Sequence, residues 1–209
     1  MLYLDIETCP APHAEALVQR RKPPANYKNE DTIAAWRAKE LEKAAMDIDM
    51  ARPAYIGVQA DDSLDMAWVI DDIAKEADCL REFWAHVRST RASQIRDELC
   101  GFGIRRFDLP LLIRRSQILD VDYPHLNFAR YTTRDIADLE ESLTWHGTIP
   151  LRSLSFYGEV FGLGVEDEVT GADIPRLVAE GEWTAVATHC QADLRIIRGI
   201  ARKIGLGTR

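Results

Sequence analysis

The first eight residues constrain the fold more strongly than any other stretch of the chain. Three apolar residues, Leu2, Leu4 and Ile6, alternate there with two acids, Asp5 and Glu7. Because alternate side chains of a strand share a face, this stretch predicts a strand with both acids opposite the apolar residues. The Cα atoms of these two acids would lie roughly 6.6 Å apart, and carboxylates on the same face at that spacing repel each other. Either solvent at an exposed edge strand or a divalent cation with oxygen ligands would relieve that repulsion.

Length and composition predict a single domain over residues 1–209, large enough for a proper core. The 46% hydrophobic and 29% charged residues are typical of a globular, cytoplasmic protein. No apolar run reaches the roughly 18 residues of a membrane span, and no signal peptide is visible. The four cysteines form no C-x-x-C pair, which favours reduced thiols over a disulfide or a zinc site. The net charge of −8 argues against a non-specific nucleic-acid coat protein, although an enzyme can contact nucleic acid locally.

Residues 9–52 are predicted to be a partly helical insertion after the first strand. Prolines mark its irregular start, and a helix capped by Asp31 or Thr32 is expected from Ile33 to about Met50. The basic cluster at residues 20–22 is either part of a solvated loop or a contact for a phosphate backbone.

Strand and helix patterns alternate after the insertion. Residues 53–70 predict a hairpin with its turn at 61–63, and residues 127–131 predict another strand. Helices are expected through residues 151–156 and from 174 to 180. The helix that Asp72 opens is predicted to pack on the core through Ile73, Ala77, Leu80, Trp84 and Val87.

Asp108 is predicted at the start of a helix that directly follows a short apolar strand and a glycine turn. A helix-capping role would explain an aspartate at this place. The alternative is a ligand for a metal or a phosphate, because α/β sheets keep their chemistry at strand-to-helix junctions.

The last helix, predicted from about Trp183 to Ile204, carries an acid on its apolar face. With residues placed 100° apart, Val186 and Ile200 lie within about 20° of Asp193, and His189 lies about 40° away. An unpaired buried carboxylate costs several kcal/mol. Asp193 therefore needs a salt bridge, a loop amide or a metal shared with other acids. The basic residues that follow fall on the opposite face, where we expect solvent.

Three motifs at residues 4–8, 101–110 and 189–194 resemble those of the DnaQ-like (DEDD) 3′–5′ exonuclease superfamily. The resemblance is closest to stand-alone relatives of the exonuclease domain of family-B DNA polymerases. Such relatives carry a Ser-Leu helix and a Gly-Ser-Asp-like turn where this chain has residues 151–154 and 170–173. The resemblance covers the chain except residues 9–52. It implies an α/β, ribonuclease-H-like fold with a central mixed β-sheet flanked by helices.

The chain departs from the superfamily pattern in two motifs. The second motif usually carries Asn where this chain has Gly103. The third motif has either Tyr four residues before its Asp or His five residues before it. Here His189 stands four residues before Asp193, and Thr188 stands five before. Because the helical wheel places His189 on the Asp193 side, we expect His189 to activate water.

The resemblance implies hydrolysis of a phosphodiester with two Mg²⁺ (or Mn²⁺) ions. Asp5 would bridge the metals, Glu7 and Asp193 would complete one site, and Asp108 would hold the other. His189 would orient or deprotonate the attacking water.

Three further residues are expected beside the terminal nucleotide, namely Thr8, Phe102 and Phe107, and the two aromatic rings could stack on its base. Core packing is the alternative reading for both rings.

The leading hypothesis is therefore a metal-dependent 3′–5′ exonuclease that releases nucleoside 5′-monophosphates from DNA. The expected partner is nucleic acid, with single-stranded or frayed DNA 3′ ends preferred, and no membrane is expected. A polymerase or another DNA-processing protein is a further candidate partner. Two alternatives remain open: an RNA 3′-end trimming exonuclease, and a non-catalytic nucleic-acid- or protein-binding module on a decayed nuclease fold.

Overall fold

A mixed five-stranded sheet forms the centre of the molecule. The computed structural model describes residues 1–60, 66–93, 99–129, 131–132 and 134–206, with backbone alone at 91–93. The strand order is β3-β2-β1-β4-β5. Strands β1, β2 and β3 are antiparallel neighbours, whereas β4 and β5 run parallel to β1. The described strands are β1 (Leu2–Pro10), β2 (Ala51–Ala60), β3 (Met66–Val69), β4 (Leu99–Gly101) and β5 (Ile136–Asp138).

Helices cover both faces of this sheet, so the predicted α/β, ribonuclease-H-like architecture is confirmed. No helix in the described ranges combines the length and apolar character that crossing a membrane requires. The described α-helices are α1 (Pro12–Arg20), α2 (Glu30–Ala44), α3 (Glu76–Ser93), α4 (Asp108–Ile118), α5 (Leu139–Leu143), α6 (Leu154–Val160), α7 (Ile174–Glu180) and α8 (Trp183–Lys203).

Strand β1 lies in the interior of the sheet and is buried on both faces. Leu2, Leu4 and Ile6 pack with α3 and α4 in one core. Tyr3 points the other way and packs with α6, α7 and α8 in a second core. The exposed edge strand that was the alternative for this stretch is therefore excluded.

The insertion contains two helices that pack against each other around Ala14, Ala44 and Met50. The predicted helix in it begins and ends earlier than expected. The Asn29 side chain accepts a hydrogen bond from the Asp31 N–H and caps α2, which then ends at Ala44. Of the basic cluster at 20–22, Arg21 forms an ion pair with Glu40 at 2.9 Å.

The strand prediction for residues 127–131 was wrong for the described residues of that stretch. The carbonyl oxygens of Asn127, Ala129 and Thr132 accept hydrogen bonds from the guanidinium of Arg105 instead of joining a strand ladder. The fifth strand forms later, at Ile136–Asp138.

Other predicted elements agree with the structure. The hairpin of β2 and β3 is confirmed, while its predicted turn at 61–63 lies outside the described residues. The helices at Ile174–Glu180 and Trp183–Lys203 form as expected. On α3, Leu80, Trp84 and Val87 are buried as predicted, but Ile73 is exposed because it lies in a 3₁₀ turn before the helix.

Candidate active site

Asp5 and Glu7 project from β1 towards α8, on the face opposite Leu2, Leu4 and Ile6. A close approach of α8 to the sheet shapes this region. Gly57 is paired with Asp5 in the neighbouring strand, and a Cβ atom at Gly57 would lie 2.6 Å from the Cys190 sulfur. The Cys190 thiol in turn contacts the Asp5 carbonyl oxygen at 3.7 Å. A glycine opposite Asp5 therefore lets the helix lie directly over the acids of β1.

Asp193 and His189 face the sheet from α8, one helical turn apart. His189 is buried, and its Nε2 atom lies 3.8 Å from Glu7 Oε1. The charge of Asp193 acts on both Asp5 and Glu7. The helical-wheel prediction that Asp193 and His189 share the face towards the sheet is confirmed, with His189 buried and Asp193 half-buried.

Asp108 reaches the same place from the first turn of α4. Strand β4 ends at Gly101, and the N–H of Ile6 donates a hydrogen bond to the Asp108 carboxylate. Phe107, not Asp108, is the N-cap residue of α4, so helix capping does not explain this aspartate. The structure thus brings Asp5, Glu7, Asp108, Asp193 and His189 together.

Burial raises the pKa of all four acids. It raises the pKa of Glu7 to about 8, of Asp108 to about 7 and of Asp193 to about 6. The pKa of Asp5 lies well above its ordinary value. Burial is the largest cause, and the negative charges of Glu7, Asp193 and Asp108 raise the pKa further. Without a cation, the site therefore favours bound protons over four negative charges.

Two carboxylate oxygens in this site, Asp5 Oδ2 and Glu7 Oε1, are buried and accept no hydrogen bond from the residues that the structure describes. Such atoms are costly unless a ligand satisfies them. Among the described residues, none of the four acids forms an ion pair with lysine or arginine. A divalent cation fits both observations.

Two groups of side chains offer ligand atoms for a metal ion. Ligand atoms of Asp5, Glu7 and Cys190 lie within 4.8 Å of one another, as do those of Asp167, His189 and Asp193. Burial raises the pKa of the Cys190 thiol, so this sulfur stays protonated and is a poor ligand. The remaining ligand atoms are carboxylate oxygens and one ring nitrogen of His189. These acidic clusters can bind a metal ion.

Asp167 is a site residue that the sequence did not reveal. Its carboxylate Oδ2 lies 2.5 Å from His189 Nδ1, and its Oδ1 accepts a hydrogen bond from the Val169 N–H. Burial lowers the pKa of His189, but the charge of Glu7 and the hydrogen bond to Asp167 outweigh it and raise the pKa overall. Asp167 stands in an irregular loop between two other acids, where no periodicity distinguishes it.

The three residues expected beside a nucleotide have different surroundings. The Thr8 hydroxyl is buried and donates to the Ala45 carbonyl at 2.7 Å. Phe102 is half-buried against Tyr157, with ring centroids 6.0 Å apart. Phe107 is half-buried beside the first core. Their contact with a nucleotide stays a prediction.

The backbone conformation and the neighbouring side chains leave little room for a side chain at Gly103. Its φ is +70°, a left-handed conformation, and a Cβ there would lie 2.9 Å from Glu140 Oε2. Its N–H donates to Asp138, whose carboxylate also accepts from the N–H groups of Arg105 and Glu140. Asp138 was not singled out from the sequence, and it holds the turn that leads to Asp108.

The comparisons with known proteins rest on structure alone. No protein-family model and no curated protein sequence matches the chain. The fold is similar to that of the family B DNA polymerase from the hyperthermophilic archaeon Pyrobaculum calidifontis, with a TM-score of 0.64 and 16% sequence identity. The similarity covers 97% of this chain and 24% of the polymerase chain. The chain thus spans about a quarter of the polymerase it matches, and this likeness shows a distant relationship of fold.

Proposed function

We propose that this chain is a metal-dependent 3′–5′ exonuclease that releases nucleoside 5′-monophosphates from DNA 3′ ends. One observation carries the proposal: four acids from three separate elements meet in a buried site, and none of them has a lysine or arginine partner among the described residues. The fold shared with a DNA polymerase supports a nucleic-acid substrate. The order of the three acidic motifs along the chain supports the same reaction.

The four carboxylates are proposed as the ligands of two Mg²⁺ or Mn²⁺ ions. Asp5 lies centrally, because the charges of Glu7, Asp193 and Asp108 all act on it. Glu7 and Asp193 are assigned to one ion, and Asp108 to the other. When bound, the ions stabilise negative charge on the attacking and leaving oxygens of the phosphodiester.

His189 is proposed as the group that takes a proton from the attacking water. Its ring is buried between Glu7 and Asp167, with Nε2 directed towards the acids of β1. The water oxygen forms a bond to phosphorus while the bond from phosphorus to the 3′ oxygen breaks. One proton of the water passes to His189, and the departing 3′ oxygen takes up a proton from solvent, so the shortened strand leaves with a 3′ hydroxyl.

Phe102 and Phe107 are proposed to contact the terminal nucleotide. Both side chains are half-buried and flank the turn that leads to Asp108, so each ring keeps some exposed surface. Base stacking on such rings tolerates any sequence. Thr8 is proposed to contact the terminal nucleotide because it stands next to Glu7 in β1. Its hydroxyl proton is not free for that contact, since the hydroxyl donates to the Ala45 carbonyl.

A labelled strand tests this function. The intact chain is incubated with a 5′-labelled single-stranded DNA and Mg²⁺ or Mn²⁺, and we expect a ladder that shortens from the 3′ end. Asp5→Ala and Asp193→Ala should abolish the ladder, while Glu82→Ala, on the exposed side of α3, should leave it unchanged. A ladder that persists in both acid variants would overturn the assignment. Labelled RNA competing in the same tube tests the DNA preference, because only RNA offers a 2′ hydroxyl.

A further inference from the structure

Asp167 and His189 form a pair in which each group is fixed by the other and by the chain around it. His189 Nδ1 lies 2.5 Å from Asp167 Oδ2. The side chains are 9% and 16% exposed, so water competes little for this contact. The second oxygen of Asp167 is held by the Val169 N–H at 3.0 Å. The carboxylate is therefore oriented before any ligand arrives.

The pairing decides which ring nitrogen of His189 faces the four acids. A carboxylate beside Nδ1 accepts the proton on that atom, which leaves the lone pair of the neutral ring on Nε2. Nε2 lies 3.8 Å from Glu7 Oε1, too far for a hydrogen bond and on the side of the acids. A water-activating base needs its lone pair there.

We propose that Asp167 is a positioning residue that fixes the Nδ1–H tautomer of His189 and so keeps Nε2 available as the base. This inference rests on the proposed function and adds a fifth carboxylate with a separate role. Asp167 acts through His189 and contacts neither the substrate nor the reacting water. The pair explains how a histidine four residues before Asp193 can serve as the base. Asp167 supplies the orientation of the imidazole ring that the helix alone does not.

Asp167→Asn tests the proposal with little change in volume. The amide oxygen can keep the hydrogen bond from the Val169 N–H, so the amide NH₂ then faces His189 Nδ1. Nδ1 must accept that hydrogen bond, and the ring proton moves to Nε2, where it blocks the base. The matched control is Glu168→Gln, which removes one charge from the adjacent, exposed residue.

The first readout is the tautomer itself, measured without substrate or metal. Nitrogen-15 NMR of labelled histidine, at a pH where the ring is neutral, distinguishes a proton on Nδ1 from one on Nε2. The chain has five histidines, and a His189→Ala spectrum identifies the signal. We expect Nδ1–H in the wild-type chain and in Glu168→Gln, and Nε2–H in Asp167→Asn. An Nε2–H ring in the wild-type chain would overturn the proposal.

The second readout is kinetic. Asp167→Asn should lower kcat on the order of 10²-fold, the lower range of a general base, and should change KM by less than about twofold. Adding Asp167→Asn to His189→Ala should cause no further loss, because the aspartate acts through the histidine. An additional loss in the double variant would overturn the positioning role.

Calorimetry with Mn²⁺ separates positioning from metal binding. Asp167→Asn should bind Mn²⁺ as the wild-type chain does, and a lowered affinity would make Asp167 a metal ligand and overturn the proposal. If the wild-type chain cleaves no labelled strand, the proposed exonuclease fails on its own. The NMR measurement still decides whether Asp167 sets the tautomer of His189.

Discussion

Both faces of the sheet bury acids, but the partners of these acids differ between the two faces. On the face covered by α3 and α4, Glu76 forms a two-pronged ion pair with Arg115, at 2.6 and 3.0 Å. Beside α8, Glu7, Asp193 and Asp167 share one histidine, His189, among the described residues. Glu76 and Glu7 are both buried, so exposure alone does not distinguish them. What distinguishes them is whether the chain supplies the opposite charge.

We propose that this difference separates a structural acid from a functional one. The Glu76–Arg115 pair joins α3 to α4, and the nearby Trp84 donates a hydrogen bond to Ser116. Each of these polar groups therefore has its partner within the chain. The acids near α8 leave two oxygens without a partner among the described residues and hold raised pKa values. An external cation is the partner that we propose for them.

The largest effect is expected from Asp5→Asn. Cleavage should fall on the order of 10³-fold, because the central carboxylate of the proposed metal site is lost. The metal-free chain should meanwhile become more stable at neutral pH, since Asn is neutral without the proton that Asp5 must take up on folding. Strand cleavage and thermal unfolding measure the two effects on the same sample. A variant that loses stability as well as activity would make Asp5 a structural acid.

Glu76→Ala should have the opposite pattern. It leaves Arg115 buried without its carboxylate, which typically costs about 3–5 kcal/mol in free energy of unfolding. The rate of cleavage per folded molecule should stay unchanged, because the pair lies on the other face. Urea unfolding measures the loss, and Glu82→Ala on the exposed side of the same helix is the control. Equal stability of the two variants would contradict a structural role for Glu76.

The metal-free chain should lose stability as the pH rises from 5 to 8. Burial raises the pKa of Glu7 from its ordinary 4.5 to about 8, so the folded chain binds more protons than the unfolded chain in this range. The free energy of unfolding therefore falls with pH, and the raised pKa of His189 acts in the same direction. At pH 8, Mn²⁺ at 100 times its Kd should restore about 2.7 kcal/mol. Thermal unfolding with and without Mn²⁺ measures this, and a stability that rises with pH would contradict it.

Gly57→Ala is expected to have the smallest effect of the four. Its Cβ would meet the Cys190 sulfur and push α8 away from β1, at a cost of about 1–3 kcal/mol. Because Asp193 and His189 move with α8, cleavage should fall as well. Combining it with Cys190→Ala, which removes the sulfur, should recover part of both losses. No recovery in the double variant would show that α8 does not depend on this contact.

The sequence predicted those parts of the fold that have a strong local pattern. The alternation at residues 2–7 predicted β1, and the apolar face around Asp193 predicted α8 and the half-buried acid on its core side. The strand expected at residues 127–131 did not form, because Arg105 takes up backbone carbonyls there. A hydrogen bond between residues about 20 positions apart leaves no trace in local periodicity.

The candidate site shows the same limit. Asp5, Glu7 and Asp193 were singled out because the periodicity of a regular element makes an acid conspicuous there, and Asp108 because it stands at a strand-to-helix junction. Asp167 lies in an irregular loop and gains its contact with His189 only when that loop folds over α8. Its neighbours, Glu166 and Glu168, have the same charge and are exposed residues like Asp167 itself, so the sequence gives no signal of the difference.

The central claim is that the acids near α8 are completed by a cation that the chain does not supply. Titration of Mn²⁺ into the metal-free chain, followed by calorimetry, tests it most directly. We expect the wild-type chain to bind Mn²⁺, Asp5→Asn and Asp193→Asn to lose that binding, and Glu82→Gln to retain it. A wild-type chain that binds no Mn²⁺, or acid variants that bind it unchanged, would contradict the claim.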